Sequence, residues 1–261
     1  MIWLSLHEME NFRYFLHLAY NGTSFHGWQL QPNAITVQEV IEKDLSKLLG
    51  GNVLITGAGR TDTGVHARNY FAHFDLPKLL NAQELKQLVY KLNRMLPPDI
   101  SVYEAFRVKD DVHARFSALS RTYHYYISRT KNPFNYNFAW NYVGNLDVPA
   151  MEAAAEIIKM YSDFTAFAKT GSETGNNLCT IFESHFIQDD NLLIYRVSAN
   201  RFLRNMVRAI MGTLLEVGKG RINISHLHEL IKEGTRSDAG ESVPARGLFL
   251  ENISYPTDIR F

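Results

Sequence analysis

The chain of 261 residues is long enough for one large hydrophobic core or two smaller ones. Its composition, 46% hydrophobic, 12% aromatic and 21% charged, is that of an ordinary folded globule and excludes a largely disordered or fibrous chain. Lys and Arg number 27 and so do Asp and Glu, so the net charge is zero and any site for a polyanion must be local.

Cys179 is the only cysteine, which excludes an internal disulfide framework and a multi-cysteine zinc site and suits a reducing cytoplasm. The ten histidines show no metal-ligand spacing, so no metal site is expected. No window reaches the ~18 apolar residues of a membrane span. The opening MIWLSLHEME lacks a basic leader and meets Glu8 and Glu10 too early for a signal segment, so residues 1–10 read as an extension before the first strand.

From Phe12 to Tyr20 apolar residues alternate with Arg13 and His17, which predicts a strand. Thr36 with Glu39 three residues on opens a helix as a capping box, and Gly50-Gly51 stops it. A short strand is expected over 53–56 and a longer one over 68–76. Asn81 with Glu84 caps a second helix striped by Leu85, Leu88, Val89 and Leu92, and 101–108 reads as a strand. The second half repeats the order without repeating the sequence: strand 121–128, helix 149–161, strands near 180–188 and 192–199, helices from about Phe202 and Ser225, and strand 247–253. Two β-α-β-β-α-β units predict an α+β fold of two ferredoxin-like halves, 11–115 and 116–261. Fused through one large, mainly antiparallel sheet, they would leave a central cleft between them, a natural position for a ligand.

Two stretches are locally basic. Arg107 to Lys131 holds six Lys/Arg against Asp110 and Asp111, and Arg196 to Arg221 holds six against Glu216. On a helix starting near Phe202, Arg201, Arg204 and Arg208 would share one narrow arc, with Met206, Val207, Ile210 and Leu214 opposite.

Between two expected strands lies Gly57-Ala58-Gly59-Arg60-Thr61-Asp62-Thr63-Gly64-Val65-His66-Ala67-Arg68. A dinucleotide fingerprint is excluded, because Asp62 stands where the third glycine is required and the loop feeds a strand. In isolation the loop fits a turn in which Asp62 bonds its own backbone. The whole string, however, closely resembles the signature loop of the TruA family of tRNA pseudouridine synthases. The resemblance continues in Tyr20-Asn21-Gly22, Phe25-His26-Gly27-Trp28-Gln29, Gln31-Pro32-Asn33 and Thr36-Val37-Gln38-Glu39. Further on come His113-Ala114-Arg115-Phe116-Ser117-Ala118, Arg121-Thr122-Tyr123, Asn205-Met206-Val207-Arg208 and Pro244-Ala245-Arg246-Gly247-Leu248. These segments run in the expected order from residue 12 to about residue 255. Thr63 departs from the pattern, standing where the family more often has Ala.

The resemblance implies an isomerase that needs no cofactor: the uridine N-glycosidic bond breaks, the base turns, and C5 joins the sugar. It implies that Asp62 is the catalytic carboxylate, that Arg208 is its cationic partner, and that Tyr123 is an active-site tyrosine suited to stack on the target uracil. Arg60 would fill the space of the extruded base or hold the RNA backbone. Arg201 and Arg204 are candidate phosphate contacts, and His66, Arg68, His113 and Arg115 are further candidates for RNA contact. The implied substrate is the tRNA anticodon arm at positions 38, 39 and 40, bound by a homodimer to whose contact Trp140 or Tyr142 could belong. The rival class is a non-catalytic RNA-binding protein of RRM-like topology, since β-α-β-β-α-β is also that module's order; the aromatic RNP-type strand of such a module is missing. A hydrolase using Asp62 would need a nucleophile–histidine pair or a metal cluster, and neither is visible.

Overall fold

Tyr14, Leu16, Leu18 and Tyr20 of strand β1 (Phe12–Tyr20) are all buried, so the first alternation becomes one face of a sheet. The computed structural model describes residues 11–169, 171 and 176–261, and the expected extension over 1–10 lies outside them. Helix α1 (Val37–Leu49) begins where the Thr36 side chain accepts the Glu39 N–H and ends at Gly50 in the left-handed region at φ 74°. Its partner α2 (Ala82–Met95) carries the reciprocal capping box of Asn81 and Glu84 and buries Leu85, Leu88 and Leu92.

The expected strand over 53–56 is a correction. Only β2 (Thr56–Gly57) joins a ladder, because Val53 N–H goes to the Ser46 hydroxyl and Ile55 N–H to the Glu42 carboxylate, side chains of α1. Strand β3 (His66–Leu76) starts two residues earlier than expected, and β4 (Ile100–Arg107) follows α2. The second half runs β5 (Ser120–Ser128), β6 (Trp140–Asn141), α3 (Val148–Ile158), β7 (Ile181–Asp189), β8 (Leu192–Ala199), α4 (Met206–Gly218), α5 (Ile224–Glu233) and β9 (Leu248–Ser254). The short β6 had no clear sequence signal. Trp140 within it and Tyr142 just after it pack partly buried against the second core.

Among the described residues, nine strands make one mixed but mostly antiparallel sheet in the order β4-β1-β3-β9-β5-β8-β7, with β2 on β3 and β6 on β5. Two cores lie along it, one around Trp28, Ile41, Tyr70 and Leu92, the other around Tyr125, Phe164, Tyr195 and Leu214. The seam between them is narrow: β3 pairs with β9 in parallel only at His66 with Phe249 and Ala67 with Leu250. The loop bearing Asp62 enters β3 at this seam, which brings its carboxylate within reach of both halves.

Candidate active site

The Asp62 loop is shaped by aromatic rings. Tyr70 on β3 stacks on Trp28 with centroids 4.0 Å apart, and its hydroxyl donates to the Gly59 carbonyl at 2.5 Å. Tyr20 on β1 meets the Thr61 hydroxyl at 2.8 Å. Burial raises the phenol pKa of both Tyr20 and Tyr70 well above the usual range, so both remain neutral hydrogen-bonding posts. A Cβ on Gly57 would lie 2.3 Å from both Trp28 Nε1 and the Tyr70 hydroxyl. Gly27, at φ 86°, lets its backbone pass where a Cβ would come 2.3 Å from the Thr61 carbonyl. Trp28 N–H then bonds that carbonyl at 3.3 Å, and Val65 N–H bonds the Asp62 carbonyl at 3.1 Å, closing the turn. The turn is thus real, but it is the Asp62 backbone that closes it, and the side chain is left for the cavity.

Arg208, in the first turn of α4, donates from Nη1 to Asp62 Oδ2 at 3.4 Å, and its Nε is tied to the Val243 carbonyl at 2.8 Å. Arg204 stands 3.9 Å from Asp62 Oδ1 with 56% of its side chain exposed, against 20% for Arg208 and 25% for Asp62. One cation is therefore anchored by a second hydrogen bond and the other is solvent-exposed within reach of the carboxylate. The expected helical arc of Arg201, Arg204 and Arg208 is corrected here. Asn205 is left-handed at φ 66°, α4 starts only at Met206, and Arg201 and Arg204 lie in the loop before it. Arg204 reaches the carboxylate through that loop, while Arg201 turns to Asn176 at 3.4 Å.

Asp62, Arg204 and Arg208 line a cavity of about 440 Å³ together with Arg60, Thr61, Thr63, His26, Gln29, Gln31, Lys169 and Asn205. Among the described residues its charged wall is four basic side chains, Arg60, Lys169, Arg204 and Arg208, facing the carboxylate of Asp62. A chain of zero net charge thus carries a locally positive cavity of nucleotide size, suited to a polyanion. His26, Gln29, Gln31 and Lys169 were not singled out as site residues. The first three sit in the motif around Trp28, a signal that was available; Lys169 has no motif, and only the fold brings it in.

Tyr123 on β5 packs against both cores, and its ring meets Phe202 edge-on at 5.2 Å. Burial raises its phenol to about 12, the Arg121 charge opposes that rise, and the Asp62 charge adds to it. The hydroxyl is therefore a proton donor throughout the neutral range, close enough to feel the carboxylate. The other expected contacts are placed elsewhere. His66 is 1% exposed; its Nδ1 accepts the Gly22 N–H at 3.0 Å, and Nε2 faces the Asn137 and Arg246 carbonyls at 3.1 and 3.2 Å. Burial lowers its pKa to about 4, so it serves as a neutral brace beneath the loop. Arg68 lies over the Phe249 and Tyr126 rings and pairs with Glu251 at 3.4 Å, away from the cavity. His113 and Arg115 flank the exposed ring of Phe116 on the turn that precedes β5.

Among the described residues, no group of three or more His, Cys, Asp or Glu side chains is arranged to hold a metal ion, and no helix is long and apolar enough to cross a membrane. A family model described as tRNA pseudouridine synthase matches residues 18–117 and 161–256, which include Asp62, Arg204 and Arg208 but not Tyr123. Similar proteins named tRNA pseudouridine synthase A occur in Bacteroides thetaiotaomicron, 46% identical over 250 residues covering 95% of this chain and 92% of that protein. The one from Porphyromonas gingivalis is 44% identical, covering 95% and 98%, and the one from Thermoanaerobacter sp. is 39% identical, covering 91% and 97%. With a carboxylate and an arginine set against each other in a basic cavity, and relatives of this identity along almost its whole length, the chain belongs to the tRNA pseudouridine synthase family.

Proposed function

We propose that the protein converts uridine to pseudouridine in the anticodon arm of tRNA, at positions 38, 39 and 40, without a cofactor. The observation that carries this reading is the 3.4 Å pairing of Asp62 with Arg208 inside the basic cavity. The reaction breaks the bond from N1 to C1′, forms one from C5 to C1′, and exchanges the proton leaving C5 for one gained at N1. Asp62, the one carboxylate on the cavity wall among the described residues, takes the anionic part, whether by attack at C1′, addition at C6 or removal of a sugar proton. Arg208 places a fixed positive charge beside it, and Arg60, Arg204 and Lys169 receive the RNA backbone. Tyr123 stacks on the extruded uracil, and stacking of about 1 to 3 kcal/mol offsets part of the few kcal/mol needed to take the base out of its helix.

The same reading makes the protein a cytoplasmic homodimer in which two subunits share the tRNA. It also treats residues 11–115 and 116–261 as two ferredoxin-like halves. In support, β2 lies beside β3, β3 beside β1 and β1 beside β4 in the first half, and β7, β8, β5 and β9 follow one another in the same way in the second. Incubation of the protein with an unmodified tRNA transcript, followed by mapping of pseudouridine at single-nucleotide resolution, tests the function. Conversion confined to positions 38 to 40 is expected. Tight binding without conversion would favour an RNA-binding protein instead.

A further inference from the structure

Arg121 is the second residue of β5, two residues before Tyr123, in a motif whose tyrosine has a proposed role and whose arginine has none. Its guanidinium makes no ion pair among the described residues and spends its donors on four backbone carbonyls. Nη1 donates to Ala118 at 3.1 Å and to Asn200 at 2.8 Å, while Nη2 donates to Ala58 at 3.3 Å and to Arg115. These carbonyls belong to three separate segments. Ala58 is in the loop that carries Asp62, Arg115 and Ala118 border the turn before β5, and Asn200 starts the loop that carries Arg201 and Arg204.

We propose that Arg121 is a positioning residue for the isomerisation, a planar clamp that fixes the Asp62 loop, the Arg204 loop and the Tyr123 strand in one frame. The chemistry of the side chain fits this use. A guanidinium presents five donors in a rigid plane, whereas an ammonium presents three about one point and cannot span two pairs of carbonyls. Its charge, unpaired with a carboxylate among the described residues, also acts on the Tyr123 phenol two residues along the strand and opposes the effect of burial there. The clamp rests on the proposed roles of Asp62 and Tyr123. It adds that their spacing is set by a third residue that touches neither RNA nor the reacting atoms.

Arg121→Lys keeps the charge and loses the fork; Arg121→Gln loses both. With a tRNA transcript under single-turnover conditions, Arg121→Lys is expected to react about 10²-fold more slowly than wild type, the size of a misplacement near 1 Å, while its tRNA affinity stays within about threefold. Fluorine NMR of 3-fluorotyrosine at position 123 reads the second effect. Its titration midpoint should rise in Arg121→Gln and stay near the wild-type value in Arg121→Lys. A wild-type rate in folded Arg121→Lys overturns the clamp, as does an unmoved midpoint in Arg121→Gln or failure of both variants to fold, which would assign Arg121 to stability alone. Inactivity of the wild type would instead count against the proposed function and is seen separately.

Discussion

Between Gly57 and Val65 the backbone is gripped by buried aromatic residues, Tyr20, Trp28 and Tyr70, which bond or block it at successive positions. Between Asn200 and Asn205 the chain approaches the same cavity as a loop tied at its Asn200 end, with the Arg204 side chain largely in solvent, and it becomes helical only after a left-handed asparagine. The carboxylate therefore sits in a preformed seat, while the cations around it are graded, from Arg208 held by the Val243 carbonyl to Arg204 with half its side chain in solvent. On the proposed function, the contrast implies a division of labour in which the seat fixes the reacting geometry and the exposed Arg204 side chain adapts to RNA.

That division can be broken by experiment. Short of removing the carboxylate itself, the largest effect should come from Arg208→Met, which takes away the anchored charge. The turnover rate should fall about 10²- to 10³-fold with the fold intact, as for loss of one preorganised electrostatic group. A rate near that of wild type would place Arg208 on the adaptable side. Next, Gly57→Ala puts a methyl group against Trp28 and Tyr70 and should slow conversion about 10²-fold while destabilising the fold by about 1 to 3 kcal/mol. Gly59→Ala, with nothing within 4 Å of the added atom, is the control and should be close to neutral. If both behave alike in kinetics and thermal melts, the seat is not rigid.

A smaller effect concerns the brace beneath the seat. Burial lowers His66 to about 4, below the value near 6.5 of an unfolded histidine, and does the same to His73, which lies farther along β3 and accepts the Ala114 N–H at 3.2 Å. The unfolded chain takes up protons first as pH falls, so stability is full above about 6.5 and declines from there toward 4. Urea unfolding at pH 5 should give a stability lower than at pH 7 by on the order of 2 kcal/mol from each of these rings. A flat profile would mean that they are solvated in the native state. The mildest change is Arg204→Met, expected to weaken tRNA binding a few-fold and to reduce the salt dependence of binding by about one ion, with little change in single-turnover rate. A rate loss as large as that of Arg208→Met would erase the distinction between the two arginines.

The sequence made the seat legible and the approach to it only partly so. Alternation in β1, the caps of α1 and α2, and the glycine-dense string around Asp62 are local signals, and their structures follow from local chemistry. The helix expected from Phe202 failed because an apolar stripe continues through Asn205 while the backbone there does not. Strand 53–55 failed because α1 side chains took its hydrogen bonds, a tertiary preference that no propensity carries. Arg208 was found through its motif, but its hold on the Val243 carbonyl, and the four carbonyls collected by Arg121, depend on segments far apart in sequence. His66 shows the opposite hazard: a histidine in a signature loop looks functional, and burial makes it a brace.

The measurement closest to the central claim is a comparison of wild type with Asp62→Ala on one tRNA transcript, reading both binding and pseudouridine at positions 38 to 40 under single turnover. Asp62→Ala should bind the tRNA about as well as wild type and form no detectable pseudouridine. Conversion by Asp62→Ala at the wild-type rate would contradict the assignment of the carboxylate and the reading of the cavity built around it.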